Sequence, residues 1–292
     1  MAATLPSISI IVPNYNGGAT IGRTLQSLVD QNYPKLEILV VDGGSTDNSI
    51  AIIKQYERHI TWWVSEKDRG QTHAINKGLA KATGEIVNWL GSDDELTPGA
   101  LQVIGERFAA AGDMDVLAGA CDYIDLRPGR KNLRVTPQES HLALLSIANL
   151  IAQPSCFYRR ALLKREPPLD ESLHYAMDVE LWHYFVAQGA RWRFIPDVLS
   201  RYEMTNYTKS GTGGVEVTYE LERIYRRYVK ERIPLTFWHR RLRFPVERLR
   251  RRHPGRWFGC CVYYPYQMAM ILALSPFYGY KRVRNMNWVN FG

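Results

Sequence analysis

The stretch GEIVNWLGSDDELTPG (residues 84–99) reads as a buried strand, EIVNWL, that delivers two neighbouring carboxylates, Asp93 and Asp94, beyond its carboxyl end. Like charges on adjacent side chains repel, and each raises the other's pKa unless something positive stands beside them. The pair is therefore either solvated on a turn or the holder of a cation. Upstream, SISIIVPNYN starts as a strand and ends in a Pro/Asn loop, and TIGRTLQSLVDQ places Ile21, Leu25, Leu28 and Val29 at helical spacing. LEILVVDGGSTDNS is a second apolar strand that runs into Asp42, two glycines and a Ser-Thr-Asp cap for the helix NSIAIIKQYERH. ITWWVSE, THAINKGLAKATG and EIVNWL continue the alternation. Apolar strands alternating with helices predict a mainly parallel sheet covered on both faces. Ligands of such sheets bind beyond the carboxyl ends of the strands, and Asp42 and the Asp93–Asp94 doublet both fall at that edge.

From about residue 113 the alternation loosens. DVLAGACDYIDL reads as one or two strands, RPGRKN as a turn, and ESHLALLSIANLIAQPSCFYRRALL as helical and then irregular. YAMDVELWHYFVAQG is a clearer helix over 178–188, with Val179, Trp182, Phe185 and Val186 on one face and Gly189 suited to its C-terminal cap. The predicted organisation is one domain over 1–219, in two halves at about 1–112 and about 113–219. A basic, aromatic helical extension follows over 220–292.

The chain has 292 residues and a net charge of +8 that is unevenly spread. Residues 1–219 carry −4, whereas 220–292 hold 16 Lys and Arg against 4 acids, or +12. A basic tail on a mildly acidic body points to an anionic partner. Cys121, Cys156, Cys260 and Cys261 lack zinc-type spacing, and a vicinal pair does not readily close a relaxed disulfide. With no basic n-region or long apolar stretch at the N-terminus, reduced thiols and a cytoplasmic site are the expectation.

A nucleotide at the edge of a parallel sheet first suggests a dinucleotide fold, but VPNYNGGATIG lacks the G-x-G-x-x-G turn. Asp42 either accepts a hydrogen bond from a base N–H or ribose hydroxyl, or merely ends its strand in a turn. For the doublet, the solvated-turn account puts it before a helix capped by Thr97 with Pro98 at the first position. That arrangement leaves both acids free, and a hard cation fits better: Mg²⁺ or Mn²⁺ takes one or two carboxylates with phosphate oxygens and water. Asp178 at the start of its helix is either an N-cap or a weak base whose ionised form the helix dipole favours.

Together SIIVPNYNGGATIGRTLQSLVDQNYPKLEILVVDGGSTDNS, SEKDRGQTHAINKGLAKATGEIVNWLGSDDEL and the segment from QPSCFYRRALL to SRYEM resemble the family 2 glycosyltransferases over roughly residues 6–210. The resemblance implies the α/β GT-A (Rossmann-like) fold and an inverting transferase of nucleotide-sugar donors, most often UDP-linked. It implies that Pro13, Tyr15 and Asp42 line the base pocket and that Asp68 and Lys77 lie near the donor. Asp93 would contact the ribose, Asp94 would hold Mn²⁺ or Mg²⁺, and Asp178 would be the general base. Gln153 and Trp182 are candidate acceptor contacts, although Trp182 also suits its helix's apolar stripe. Many relatives carry a His where this chain has Thr205, which leaves metal affinity resting more on Asp94, with Lys209 as a partial substitute. The alternatives are a dTDP- or GDP-sugar transferase, or a non-catalytic membrane-attached relative that binds nucleotide sugar or carbohydrate.

In the tail, Arg clusters flank a charge-free stretch, 257–280, that contains Pro265, Gln267, Pro276 and eight aromatics. Aromatics favour the membrane interface over the acyl core, so shallow attachment to an anionic membrane surface is expected. The rival is a helical cap packed on the catalytic domain. Nucleic acid is not expected as a partner, since no recognised module accompanies the charge. The resemblance further implies that 1–219 is the catalytic domain, with a donor half at about 1–112 and an acceptor half at about 113–219, and that the acceptor is a saccharide, lipid-linked at the cytoplasmic face.

Overall fold

A computed structural model describes residues 4–126, 131–204 and 214–229, and in the C-terminal region 233, 235–238, 241–242, 245–246, 249, 252, 257, 259–281 and 283–284. Thr205, Lys209 and much of the basic tail lie outside the described residues. Two compact units are present. One is Met1–Glu139 with Ile151–Thr212; the other is Ser140–Leu150 with Gly213–Gly292. The second unit thus starts at 213 rather than 220 and takes in 140–150, a segment the sequence assigned to the acceptor half.

The first unit alternates β1 (Ile8–Asn14), α1 (Ile21–Val29), β2 (Leu36–Asp42), α2 (Ser49–Gln55), β3 (Trp62–Ser65), α3 (Gln71–Lys81) and β4 (Ile86–Trp89). It continues through β5 (Glu95–Leu96), α4 (Ala100–Ala110), β6 (Val116–Asp125) and β7 (Leu133–Val135). After α5 (Ser140–Leu144) of the second unit come β8 (Cys156–Arg159), α6 (Met177–Ala187) and β9 (Trp192–Met204). The nine-stranded sheet runs β3-β2-β1-β4-β8-β6-β9-β5, with β7 on β6. β3, β2, β1 and β4 are mutually parallel; β8 runs against both β4 and β6, and β6 and β9 are parallel. The carboxyl ends of β1, β2, β4, β6 and β9 therefore share one edge.

Every residue of β1 is buried, because both faces are covered. Ile8, Ile10 and Val12 join a core with Leu25 of α1, Ile53 of α2 and Ile104 of α4, while Ile11 meets α3 on the other face. Each such side chain contributes about 1.5–3 kcal/mol of burial. β1 tolerates Pro13 because the β4 ladder stops opposite Ile11, where the missing N–H has no partner to lose.

Three local expectations are corrected. Thr97 does not cap α4: the helix starts at Ala100 behind Gly99 (φ +76°), and the Thr97 hydroxyl bonds the Val198 carbonyl of β9. Asp178 is not an N-cap: Ala176 occupies that position, and Asp178 sits inside the first turn of α6. Val186 is 42% exposed, although Val179, Trp182 and Phe185 of its stripe are buried.

The second unit contains α5, α7 (Gly214–Tyr228), α8 (Leu235–Trp238) and α9 (Tyr264–Tyr278). Ile147, Ala148, Leu235, Met270, Ile271 and Leu274 form its core. Among the described residues no helix is long and apolar enough to cross a membrane.

Candidate functional site

Parallel register brings Asn14, Asp42 and Ser65 into one row across the ends of β1, β2 and β3. Asp42 is fully buried, and five donors converge on its carboxylate. Oδ1 accepts from Asn14 Nδ2 (2.7 Å) and Ser45 Oγ (2.5 Å). Oδ2 accepts from Ser65 Oγ (2.7 Å) and from the Gly44 (3.1 Å) and Ser45 (2.9 Å) amides. Burial alone would raise its pKa, but the bonds from Ser45, Ser65 and Asn14 outweigh it and hold the carboxyl below the ordinary aspartate value. With no exposed surface and both oxygens engaged, Asp42 organises the turn after β2, the alternative role open to a strand-end aspartate.

That loop is clamped to the one after β1. Asn16 and Gly18 amides donate to Ser45 Oγ (2.7 Å) and Asp47 Oδ2 (2.8 Å), and the Thr46 amide donates to Asn16 Oδ1 (2.8 Å). Between the clamps Tyr15 projects 66% exposed at the sheet edge, while Pro13 is buried within β1. Asp68 arrives from the loop after β3. A Cβ on Gly43 would lie 2.6 Å from Asp68 Oδ2, so glycine at 43 is what lets this carboxylate close on the β2 loop. Its other oxygen accepts from the Gly70 amide (2.7 Å). Lys77, on α3, donates to Glu66 Oε1 (2.8 Å), which holds its ammonium beside the end of β3.

The doublet turns around Gly91. A Cβ there would lie 2.8 Å from both Asp93 Oδ1 and Asp94 Oδ2, so the two carboxylates crowd the space glycine leaves. Asp94 is 5% exposed, and its Oδ1 is buried with no hydrogen-bond partner among the described residues. Burial first, then the charges of Asp93 and Glu203, push its carboxyl well up. Asp93 reaches the surface of the cleft; the protein around it and the Glu203 charge raise its carboxyl, opposed by Arg23. Arg23 of α1 grips Glu203 in a fork, Nη1 to Oε1 at 2.8 Å and Nη2 to Oε2 at 2.9 Å, and lies 3.3 Å from Glu95.

A buried carboxylate oxygen with no donor, surrounded by further acids, is the environment a hard cation stabilises. Among the described residues no group of three or more His, Cys, Asp or Glu side chains forms a closed cage. Mg²⁺ and Mn²⁺ take one or two carboxylates and share the rest of their shell with phosphate and water. The residues present fit such an ion.

Asp178 lies in the first turn of α6, in the other half of the unit. Tyr123, near the end of β6, has its hydroxyl pushed up by burial first, then by Cys121 and Tyr202, with Asp178 and Asp94 both adding their charge. Both carboxylates thus stand within electrostatic reach of one tyrosine. The segment that leads into α6 is pinned to α3: Thr72 Oγ1 donates to the Leu173 carbonyl (2.7 Å) and Asn76 Nδ2 to that of Leu169 (3.0 Å). Inside α6, buried Glu180 pairs with Arg165, which also stacks on Tyr184 at 4.3 Å.

Of the two acceptor candidates, Gln153 gives its amide N–H groups to Asn88 Oδ1 and the Trp89 carbonyl, both at 2.8 Å, and so braces the end of β4. Trp182 is corrected outright. It is 0% exposed, among Tyr158, Phe185 and Trp192, and meets no acceptor.

Sequence reading missed Asn14, Ser45, Ser65, Arg23, Glu203 and Tyr123. Their partners lie 23 or more residues away, except for Ser45, and no local pattern marks them. The chain also has a cavity of about 460 Å³, lined by residues such as Asp113, Glu139, Arg191 and Phe194. It lies at the amino ends of β6 and β9, opposite the doublet.

The sheet order and the edge on which the acids gather define a GT-A glycosyltransferase fold. The staphylococcal TarS fragment 1–349, solved in complex with UDP, superposes with a TM-score of 0.59 at 24% identity over 96% of this chain and 83% of that one. The mannosyltransferase PcManGT of Pyrobaculum calidifontis, solved with GDP-Man and Mn²⁺, gives 0.62 at 20% identity over 97% and 84%. Residues 9–166 match the profile of glycosyl transferase family 2, and the chain belongs to that family. An uncharacterized glycosyltransferase of Nostoc sp. (strain PCC 7120) is 33% identical over 177 residues, 56% of this chain and 54% of the relative. The GalNAc(5)-diNAcBac-PP-undecaprenol beta-1,3-glucosyltransferase of Campylobacter jejuni is 30% identical over 107 residues, 35% of each chain. The chain thus spans about half the length of the first of these curated relatives and a third of the second.

Proposed function

We propose that the chain transfers a sugar, with inversion, from a UDP-sugar to a hydroxyl of a lipid-linked saccharide at the cytoplasmic face of a membrane, with Mn²⁺ or Mg²⁺ as cofactor. The observation that carries this reading is the buried, unpartnered oxygen of Asp94 beside Asp93 at the sheet's ligand-binding edge. Asp94 would hold the ion, which supplies charge stabilisation to a departing diphosphate. Tyr15 offers an exposed ring for the base, with Pro13 beneath it. Asp68 and Lys77 orient the donor, and Asp93 takes a ribose hydroxyl. Asp178 accepts the proton of the acceptor hydroxyl as that oxygen attacks the anomeric carbon from the face opposite the nucleotide. One displacement inverts the centre. The UDP complex of the TarS fragment supports the nucleotide, and the undecaprenol-linked substrate in the Campylobacter relative's name supports the acceptor class. The +12 charge of residues 220–292 supports an anionic membrane surface as partner.

A GDP-sugar is the second reading, favoured by the GDP-Man complex of PcManGT. The test is a panel of UDP-, dTDP- and GDP-sugars with Mn²⁺, read as nucleotide release and, independently, as Mn²⁺ uptake by electron paramagnetic resonance. UDP release is expected, falling about a hundredfold in Asp94→Asn together with loss of UDP-dependent Mn²⁺ uptake. Binding of UDP with no turnover on any acceptor would instead mark a non-catalytic binding module.

A further inference from the structure

α9 is apolar on all sides. Helices of this kind belong in a core or against a second apolar medium, yet among the described residues only one side is buried. Met270, Ile271 and Leu274 face the core of the second unit. Away from that core, Tyr264, Met268 and Leu272 follow one another in steps of four, and Phe277, further round the helix, and Tyr280, just past its end, are exposed as well; Leu272 is 69% and Phe277 81% exposed. The helix's own core is thus already satisfied by the first face, so the second face is surplus to packing within its unit.

We infer that this second face lies in the headgroup–acyl boundary of an anionic bilayer, with α9 parallel to the membrane plane. The inference rests on the proposed attachment of the C-terminal region to a membrane and deepens it by naming the element that inserts. Three observations select a bilayer over other occupants. No charged residue interrupts 257–280, whereas both flanks are basic, and Lys281 and Arg284 stand exposed directly after the helix. The exposed side chains combine tyrosines, Tyr264 and Tyr280, with the apolar Met268, Leu272 and Phe277, the mixture of amphipathic rings and apolar groups that suits the headgroup–acyl boundary. α9 continues directly from a π-helical turn, Gly259–Tyr263, and among the described residues no helix is long and apolar enough to cross a membrane. The inference accordingly places α9 on the membrane and not across it.

The test is flotation of the full chain with phosphatidylcholine vesicles, with and without phosphatidylglycerol, at low and high salt. Wild-type protein is expected to float with anionic vesicles, less so at high salt. Leu272→Ser combined with Phe277→Ser is expected to float about tenfold more weakly, with unchanged circular dichroism and unchanged nucleotide release. Hydrogen exchange of 264–280 in wild-type protein, which needs no substitution, is expected to slow on anionic vesicles. Equal flotation of wild type and variant, or unchanged exchange on vesicles that do bind, overturns the inference and leaves membrane attachment standing. Wild-type protein that floats with neither vesicle overturns both. A wild-type dimer that the double substitution converts to a monomer, with no lipid binding, makes the face an interface between copies and equally overturns it.

Discussion

Asp42 and Asp94 are both aspartates at the carboxyl edge of the sheet, and their surroundings drive them in opposite directions. Five donors hold Asp42 ionised, while Asp94 is buried among like charges and left with a bare oxygen. Because folding lowers the Asp42 pKa, its ionised form adds stability above the unfolded aspartate value of about 3.9. That stability is lost as pH falls through the lower folded value. Asp42→Asn keeps the shape but turns one acceptor into a donor facing donors, at a cost of about 2–3 kcal/mol at neutral pH. Thermal melts should show this gap closing below about pH 4; a gap that widens on acidification would contradict the assignment. The position of Asp42 at a strand end was legible in LEILVVD, but its saturation was not. Asn14 and Ser65 come from the two neighbouring strands, and only parallel register brings them to it.

At the scale of elements, the buried Arg165–Glu180 pair anchors the first turns of α6, and that turn carries Asp178. Breaking a buried pair by removing one partner costs about 3–5 kcal/mol, nearer the lower bound where one side reaches water, as Arg165 does. Glu180→Ala is expected to lower the melting temperature and the transfer rate, with donor affinity unchanged, and Glu180→Gln to do less. A Glu180→Ala enzyme with wild-type turnover would separate the pair from the placement of Asp178. Periodicity made α1, α3, α6 and the first four strands legible, because apolar side chains repeat where the covering layer lies. It misled at Thr97. Its hydroxyl satisfies a carbonyl of β9, about 100 residues away, and a helix-capping rule takes no account of that distant partner.

At the scale of the whole molecule, the proposed function assigns the donor to residues up to Glu95 and the acceptor to β6, α6 and the end of β9, and the charges of Asp94 and Asp178 both act on Tyr123. Asp178→Asn should therefore bind UDP and Mn²⁺ as wild type does, by calorimetry, while transfer falls about a hundredfold or more; an unchanged rate would remove Asp178 from the base role. The sequence alone determined the α/β alternation, the family, the edge on which the acids gather and the basic, aromatic character of the tail. Each of these is written in local periodicity, composition or contiguous motifs. Tertiary structure alone decided which acids are free. It closed Asp42 with five donors, left one Asp94 oxygen without any among the described residues, forked Arg23 onto Glu203, buried Trp182 in an aromatic core and left one side of α9 exposed. Burial and hydrogen bonding are properties of neighbours in space, and those neighbours here stand tens of residues apart along the chain.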